Sequence, residues 1–183
     1  MRIIAGKRRG LKIETIETDT TRPTKDMVKE ALFSILYPQV LDSDFLDLFA
    51  GSGAVGIEAL SRGANCAYFN DSNPECIKVI KQNLKKSSFE EEAFVYNLDY
   101  KEFLNKIKEF KFDIIFIDPP YNKELGIDSI EIISSYDLLK KNGVLVYETD
   151  KIELIPEEIG NFKKFKAKKY GRNVLNFFTR KGN

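Results

Sequence analysis

Apolar positions along this chain switch repeatedly between a period of two and a period near 3.6. At the start, residues 2–5 and 11–14 read as short strands about the turn from Gly6 to Gly10, which predicts a small hairpin. Arms that short bury too little to stand alone, so the hairpin must lean on the rest of the chain. Between 24 and 37, Val28, Ala31, Leu32, Ile35 and Leu36 recur three and four apart, the stripe of a helix that Thr24 would cap and Pro38 would close. Short apolar runs at 45–49, 66–69, 93–96, 112–117 and 144–147 then read as strands. They alternate with helical patterns from the glycine turn at 51–56 to about 62, at 74–86, at 100–108 and at 124–140, with a break at Asn142-Gly143. Runs at 165–170 and 173–179 around Gly171-Arg172 suggest a closing hairpin. Strands alternating with helices predict an α/β fold, a doubly wound, mostly parallel sheet with right-handed crossovers. The expected organisation is a basic extension over 1–23 and one domain over 24–183.

Two of the strands end in unusual chemistry. The run at 113–117 stops at Asp118-Pro119-Pro120-Tyr121, where two prolines, each without an N–H and with fixed φ, cannot continue a ladder. A carboxylate, rigid carbonyls and an aromatic ring are thereby presented at a strand's carboxyl end, the edge at which open α/β sheets bind ligands. Such a group suits a nitrogen with two N–H donors on a flat ring. The run at 45–49 feeds Gly51-Ser52-Gly53-Ala54-Val55-Gly56, a G-x-G-x-x-G turn that opens a helix, and Asp71 follows at the end of the next strand. Glycines here let a ligand approach the backbone, and Asp71 is placed to take both hydroxyls of a ribose. A nicotinamide dinucleotide and S-adenosylmethionine are equally served to this point. Asp47 separates them. A carboxylate beside a pyrophosphate would cost roughly 2–4 kcal/mol at an effective dielectric near 20, whereas beside the ammonium of a methionine moiety it is favourable. Asp99, ending the third strand, is placed to accept from an adenine amine. The full cofactor set expected is Asp47, Phe49, Ala50, Gly51, Ser52, Gly53, Asp71, Ser72, Asp99 and Tyr100.

Composition narrows the chemistry. The chain of 183 residues has no histidine, which removes Ser-His-Asp and Cys-His catalysis and most zinc sites. Its two cysteines, Cys66 and Cys76, form no metal-like cluster, so no metal is expected and free thiols in a cytoplasmic protein are the default. No run is long and apolar enough for a membrane span. The net charge of +1 conceals an asymmetry. Residues 1–25 hold seven bases and three acids, residues 159–183 eight bases and no acid, and the segment between them is net −11. Basic ends on an acidic body predict a grip on a polyanion, with Lys7, Arg8, Arg9, Lys168, Lys169 and Arg172 as phosphate contacts.

The segment Asp47-Leu-Phe-Ala-Gly-Ser-Gly-Ala-Val-Gly-Ile-Glu-Ala-Leu-Ser-Arg-Gly63 resembles the bacterial 16S rRNA guanine-N2 methyltransferases of the small ribosomal subunit. Asp118-Pro-Pro-Tyr121, Arg22-Pro-Thr24 and the opening Met1-Arg-Ile-Ile-Ala-Gly6 carry the same resemblance. It covers nearly the whole chain and implies a seven-stranded Rossmann-like class I methyltransferase fold. It also implies S-adenosylmethionine as donor, S-adenosylhomocysteine as product, and one guanine of 16S rRNA in an assembled small subunit or its assembly intermediate as acceptor. On the resemblance alone, Arg22 and Thr24 sit near the substrate entrance. One departure is Asp71, where the family pattern has Glu. Asp118 and the Pro119 carbonyl would each accept one N–H of the amine, Asp118 also being a candidate base, and Tyr121 would stack on the base. The rivals are an adenine-N6 DNA methyltransferase, a protein-glutamine methyltransferase, an NAD-dependent oxidoreductase and a non-catalytic RNA-binding assembly factor. A monomer is the default for so compact a chain.

Overall fold

Continuous apolar runs, rather than alternating ones, mark strands buried on both faces. The computed structural model describes residues 1–16, 22–120, 123–150 and 154–182, the side chains of 22–25 and 123 excepted. Its strands are β1 (Asp44–Asp47), β2 (Cys66–Asn70), β3 (Ala93–Tyr96), β4 (Phe112–Ile117), β5 (Leu139–Asp150), β6 (Glu158–Ile159), β7 (Phe162–Tyr170) and β8 (Asn173–Arg180). They form one sheet in the order β3-β2-β1-β4-β5-β8-β7-β6. The first five run parallel, and β8, β7 and β6 join in antiparallel succession. Among the described residues the sheet therefore has eight strands and not seven, the extra one being the two-residue β6 at the edge. So short a strand leaves almost no sequence signal.

Adjacent residues on the central strands face opposite cores. Phe45, Ile114, Val146 and Phe177 pack with Val28, Leu32, Ile57 and Ile80 of α1 (Arg22–Leu36), α2 (Ala54–Ser61) and α3 (Pro74–Ser87). Leu46, Ile115, Leu145 and Phe178 pack with Phe103, Leu104, Ile130 and Ile133 of α4 (Tyr100–Lys106) and α5 (Lys123–Ser135). Several boundaries differ from expectation: α4 ends at Lys106, β7 starts at Phe162, and β5 runs from Leu139 to Asp150, through the break expected at Asn142-Gly143. Helix α1 begins at Arg22, which places Thr24 inside it rather than at its cap. Strand β1 ends at Asp47, two residues early, because the chain there bends into the glycine turn. Helix α5 stops at Ser135, not 140, because Asp137 adopts a left-handed φ of 55°. Leu138 N then donates to Ile133 O (3.1 Å) and Asp137 N to Ser134 O (3.2 Å), closing the helix, and β5 starts at Leu139.

The N-terminal hairpin forms with a single bridge, Arg2 to Lys12, and leans on the domain as required: Ile3 and Ile13 are buried in the first core. What holds it is Glu58, in the middle of α2 and 0% exposed. Its carboxylate accepts from Ile4 N (2.8 Å), Ala5 N (3.0 Å) and Arg62 Nε (2.7 Å), and it pairs with the buried Lys29 of α1 at 3.2 Å. Lys29 in turn donates to Arg2 O at 2.7 Å. Burial pushes the Lys29 ammonium below its usual pKa against the pull of Glu58. Ser61, the last residue of α2, adds bonds to Ala5 O (2.6 Å) and from Arg8 N (3.0 Å).

A buried carboxylate with this many partners is costly to delete, because it leaves Lys29 charged and unpaired. Glu58→Ala is expected to lower unfolding free energy by about 3–5 kcal/mol in urea titrations. Lys78→Ala, which removes only the exposed pair with Glu75, should change it by less than about 1 kcal/mol. Equal, small effects in the two variants would refute the role given to Glu58.

Candidate functional site

The carboxyl ends of β1, β2 and β4 meet around the glycine turn. Gly51 (φ 54°) and Gly53 (φ 76°) both take left-handed backbone, which reverses the chain within two residues. Gly53 N donates to Ala50 O (2.7 Å) and Ile57 N to Gly53 O (2.9 Å), so the turn passes directly into α2. A Cβ on Gly51 would meet nothing within 4 Å, which leaves that face of the turn open to a ligand. Gly56 is there for a different reason: its Cβ would lie 2.3 Å from the ring of Phe69 on β2.

Asp47 lies beneath this turn, 2% exposed, and its Oδ2 accepts from Gly56 N at 3.1 Å. Burial, aided by the nearby Asp71 charge and opposed by that bond, pushes its carboxyl up to about 7. A cation beside Asp47 would supply the countercharge that its own surroundings withhold. Asp71 closes the turn from β2: Oδ2 accepts from Gly51 N and Oδ1 from Asn73 N, both at 2.9 Å. Each oxygen keeps acceptor capacity for a further donor. Asp99 is exposed and caps α4 by accepting from Lys101 N at 2.9 Å. Tyr100 is buried; its hydroxyl donates to Asp128 (2.6 Å) and its ring lies 5.7 Å from that of Phe49. Ser72 is exposed beside Asp71, and the backbone N–H of Ala50 donates to Asn70 O at 2.9 Å.

Strand β4 pairs Phe116 with Asp47, so Asp118 stands two residues beyond that level, next to the start of the turn. Asp118 and Pro120 are exposed and Pro119 half-buried. Tyr121 lies outside the described residues. Arg22 and Thr24 occupy the first turn of α1; their side chains lie outside the description.

The basic residues divide between two edges. Asn173 pairs with both Asp150 and Tyr170, so the turn carrying Arg172 projects past the carboxyl ends, with Lys168 and Lys169 exposed just below it. Arg172 pairs with Asp150 at 3.1 Å. The hairpin tip is elsewhere. Lys7 N donates to Ser61 O (2.7 Å) and Arg8 Nε to Ser87 O (2.7 Å), at the last residues of α2 and α3, which is the amino edge. Arg8 also lies over Phe89 at 5.9 Å, so part of its guanidinium fastens the tip and only the remainder faces outward. Lys7 and Arg9 are exposed. The two basic ends thus do not meet.

Two asparagines were missed as parts of the site. Asn70 is 1% exposed and donates to Leu48 O (3.4 Å) and Leu98 O (3.1 Å), tying the loops after β1 and β3 to β2. Asn83 of α3 donates to Ser52 O (2.9 Å) and to Glu14 O (3.0 Å), and accepts from Glu14 N (2.8 Å). It joins the glycine turn to the N-terminal arm. Both are polar residues on otherwise buried stripes, a legible signal, since a buried amide must find partners. Both thiols are free, and burial pushes Cys66 and Cys76 up to about 12. Among the described residues no cluster of His, Cys, Asp and Glu could hold a metal.

The raised Asp47 carboxyl has a testable sign. The folded state holds its proton up to about pH 7, whereas the unfolded chain releases it near 3.8. Stability from this group is therefore full below 3.8 and is lost as pH rises to 7. Asp47→Asn should be more stable than the parent at pH 8, by of order 2–4 kcal/mol, and indistinguishable below pH 4. Thermal melts across that range check this; a variant less stable at pH 8 would refute it.

Known proteins resemble this chain in sequence and in fold. Residues 1–179 match the model of the family described as conserved hypothetical protein 95. YlbH of Bacillus subtilis, provisionally named an rRNA methyltransferase, is 35% identical over 100% of both chains. Ribosomal RNA small subunit methyltransferase D of Haemophilus influenzae is 38% identical over 82% of this chain and 79% of its own. In structure, the Escherichia coli protein yhhF superposes with a TM-score of 0.86 at 27% identity, covering 100% of this chain and 99% of that one. The full-length family match, the identity to methyltransferases and the shared fold agree, and the chain belongs to the conserved hypothetical protein 95 family of methyltransferases.

Proposed function

We propose that this chain transfers a methyl group from S-adenosylmethionine to the exocyclic N2 of one guanine in 16S rRNA, within the small ribosomal subunit or its assembly intermediate. The observation that carries this reading is the pairing of two unlike carboxylates on neighbouring strand ends. Asp47 is buried under the glycine turn on β1, and Asp118 is exposed before two prolines on β4. The names of the Bacillus subtilis and Haemophilus influenzae relatives support rRNA as substrate, the second of them rRNA of the small subunit. The exposed Lys168, Lys169 and Arg172 at the same edge support a polyanion there.

The residues present fit the cofactor. The open face of Gly51 admits it, Asp47 takes its ammonium, and Asp71 and Asp99 take ribose hydroxyls and adenine amine, with Phe49, Ala50, Ser52, Gly53, Ser72 and Tyr100 around them. When bound, it supplies an electrophilic methyl on a sulfonium. The chain's own task is to ready the amine. A guanine N2 lone pair is delocalised into the ring. Asp118 and the Pro119 carbonyl each accept one N–H, which favours a pyramidal nitrogen and directs its lone pair towards the methyl. The Asp118 carboxylate also offers a place for the released proton. Tyr121 stacks on the base, which must be unpaired or flipped out to enter. Lys7, Arg9 and the outward part of Arg8 contact phosphates at the far edge, and Arg22 and Thr24 line the entrance. The protein works as a single chain in the cytoplasm, without a metal; among the described residues no helix is long and apolar enough to cross a membrane.

Methyl transfer to naked 16S rRNA, assembled small subunits and DNA, measured in parallel with mapping of the product, tests the reading; methylation of DNA alone would overturn it. Asp118→Ala should bind S-adenosylmethionine normally and lose at least about 100-fold in kcat. Near-normal turnover would remove Asp118 from the mechanism. Tyr121→Ala should lose more activity than Tyr121→Phe, since the ring and not the hydroxyl does the stacking.

A further inference from the structure

Strand β7 carries an aromatic ring that the fold does not require. Among the described residues its outer edge pairs with β6 at Phe162 and Lys163, and Lys164 N donates to Glu157 O at 2.7 Å. Along its inner edge the register slips: Lys164 lies opposite Phe178 but Lys166 opposite Phe177, which leaves Phe165 as an extra residue. Such bulges re-aim a side chain. Phe165 is 53% exposed, and its ring stands 6.2 Å from that of Phe177, on the face that packs against α1.

The same face continues as a stripe. Lys166 lies opposite Phe177 and Lys168 opposite Leu175, both first-core residues, and Tyr170 follows, half-buried against that core. The order is ring, cation, cation, ring. Among the described residues neither Lys166 nor Lys168 has a carboxylate partner. Lys164, on the opposite face, is used differently: it is nearly buried, pairs with Glu157 at 2.8 Å and donates to Ile155 O at 3.1 Å. Residues 159–183 hold eight bases and no acid, so nothing in this segment offsets the stripe's charge. Lysines alone would suffice to guard an edge strand against pairing; an exposed ring between them adds a flat apolar face. Rings and cations interleaved on a sheet are the equipment for binding single-stranded nucleic acid, bases on the rings and phosphates on the cations.

The position is also suitable. Ala167, within the stripe, is in the row Ile117–Tyr147–Asn176, the row at which β4 gives way to Asp118. Three strand spacings, ~15 Å, separate it from β4. We propose that the stripe from 165 to 170 binds an unpaired stretch of the RNA next to the target base, with one base stacked on Phe165 and phosphates on Lys166 and Lys168. This rests on the RNA reading above and adds a contact surface to it.

The chain has no tryptophan, so Phe165→Trp introduces a single indole at the proposed contact. Titrating the full-length variant with poly(A) should quench its fluorescence saturably, and Lys166→Gln and Lys168→Gln, each in that background, should flatten the log K against log salt slope by ~0.7. Phe165→Ala should raise KM for small ribosomal subunits by about 5- to 100-fold, with kcat and S-adenosylmethionine affinity unchanged, and Phe165→Tyr should restore it. An unquenched indole overturns the proposal, as it would if this edge served a protein strand instead. A KM within twofold of the parent's for Phe165→Ala does the same. Failure of the parent protein to methylate any ribosomal RNA would instead strike the proposed function, and the quenching titration would still decide this surface.

Discussion

A carboxylate with no solvent must be surrounded by donors, and Glu58 obtains them from two segments remote in sequence and from the end of its own helix. The backbone of the N-terminal arm, the Lys29 ammonium of α1 and the Arg62 guanidinium at the end of α2 converge on two oxygens. Helix α2 is also the helix that the glycine turn opens. One buried charge therefore makes the arm, the first helix and the expected cofactor helix a single body. Asn83 repeats the arrangement with an amide, joining Glu14 of the arm to Ser52 of the turn.

The two carboxylates at the centre of the site are differentiated by environment. Asp47 is enclosed, holds one N–H and has a carboxyl raised to about 7. Asp118 is exposed at the mouth of the same edge. The first is suited to waiting for a cation, the second to accepting from a neutral amine that arrives with solvent around it. A chain without histidine has few other groups that change charge near neutrality, so Asp47 carries more of the pH response than a carboxylate ordinarily would.

Central strands were the most legible part of the sequence. The spans 93–96 and 112–117 are observed as read, because a β-branched or aromatic run bounded by polar turns admits little else. The end of α5 was not legible: Ile130, Ile133 and Leu138 keep a helical spacing past the point where Asp137, a residue without glycine's freedom, turns left-handed. Asp47, Asp71, Asp99 and Asp118 were legible as strand-end acids by type and spacing, and their relative placement follows from the strand register. The polar residues on buried stripes, Glu58, Asn70 and Asn83, were visible but unread, since all their partners but Arg62 are 22 to 69 residues distant and most lie in backbone that no pattern marks. The charge asymmetry was read correctly as composition. Its geometry, two basic regions on opposite edges, could come only from knowing where α2 and α3 end.

The fastening of the arm has a metrical consequence. A hairpin held by Glu58, Ser61, Ser87 and Asn83 keeps its tip at a set separation from Asp118, roughly the ~20 Å length of the strands between them. A partner that touches both places at once must offer two points at that spacing on a body stiff enough to keep it. A folded particle has such points and a short flexible strand does not. The arm then works as a caliper, able to choose among chemically identical groups by the shape around them.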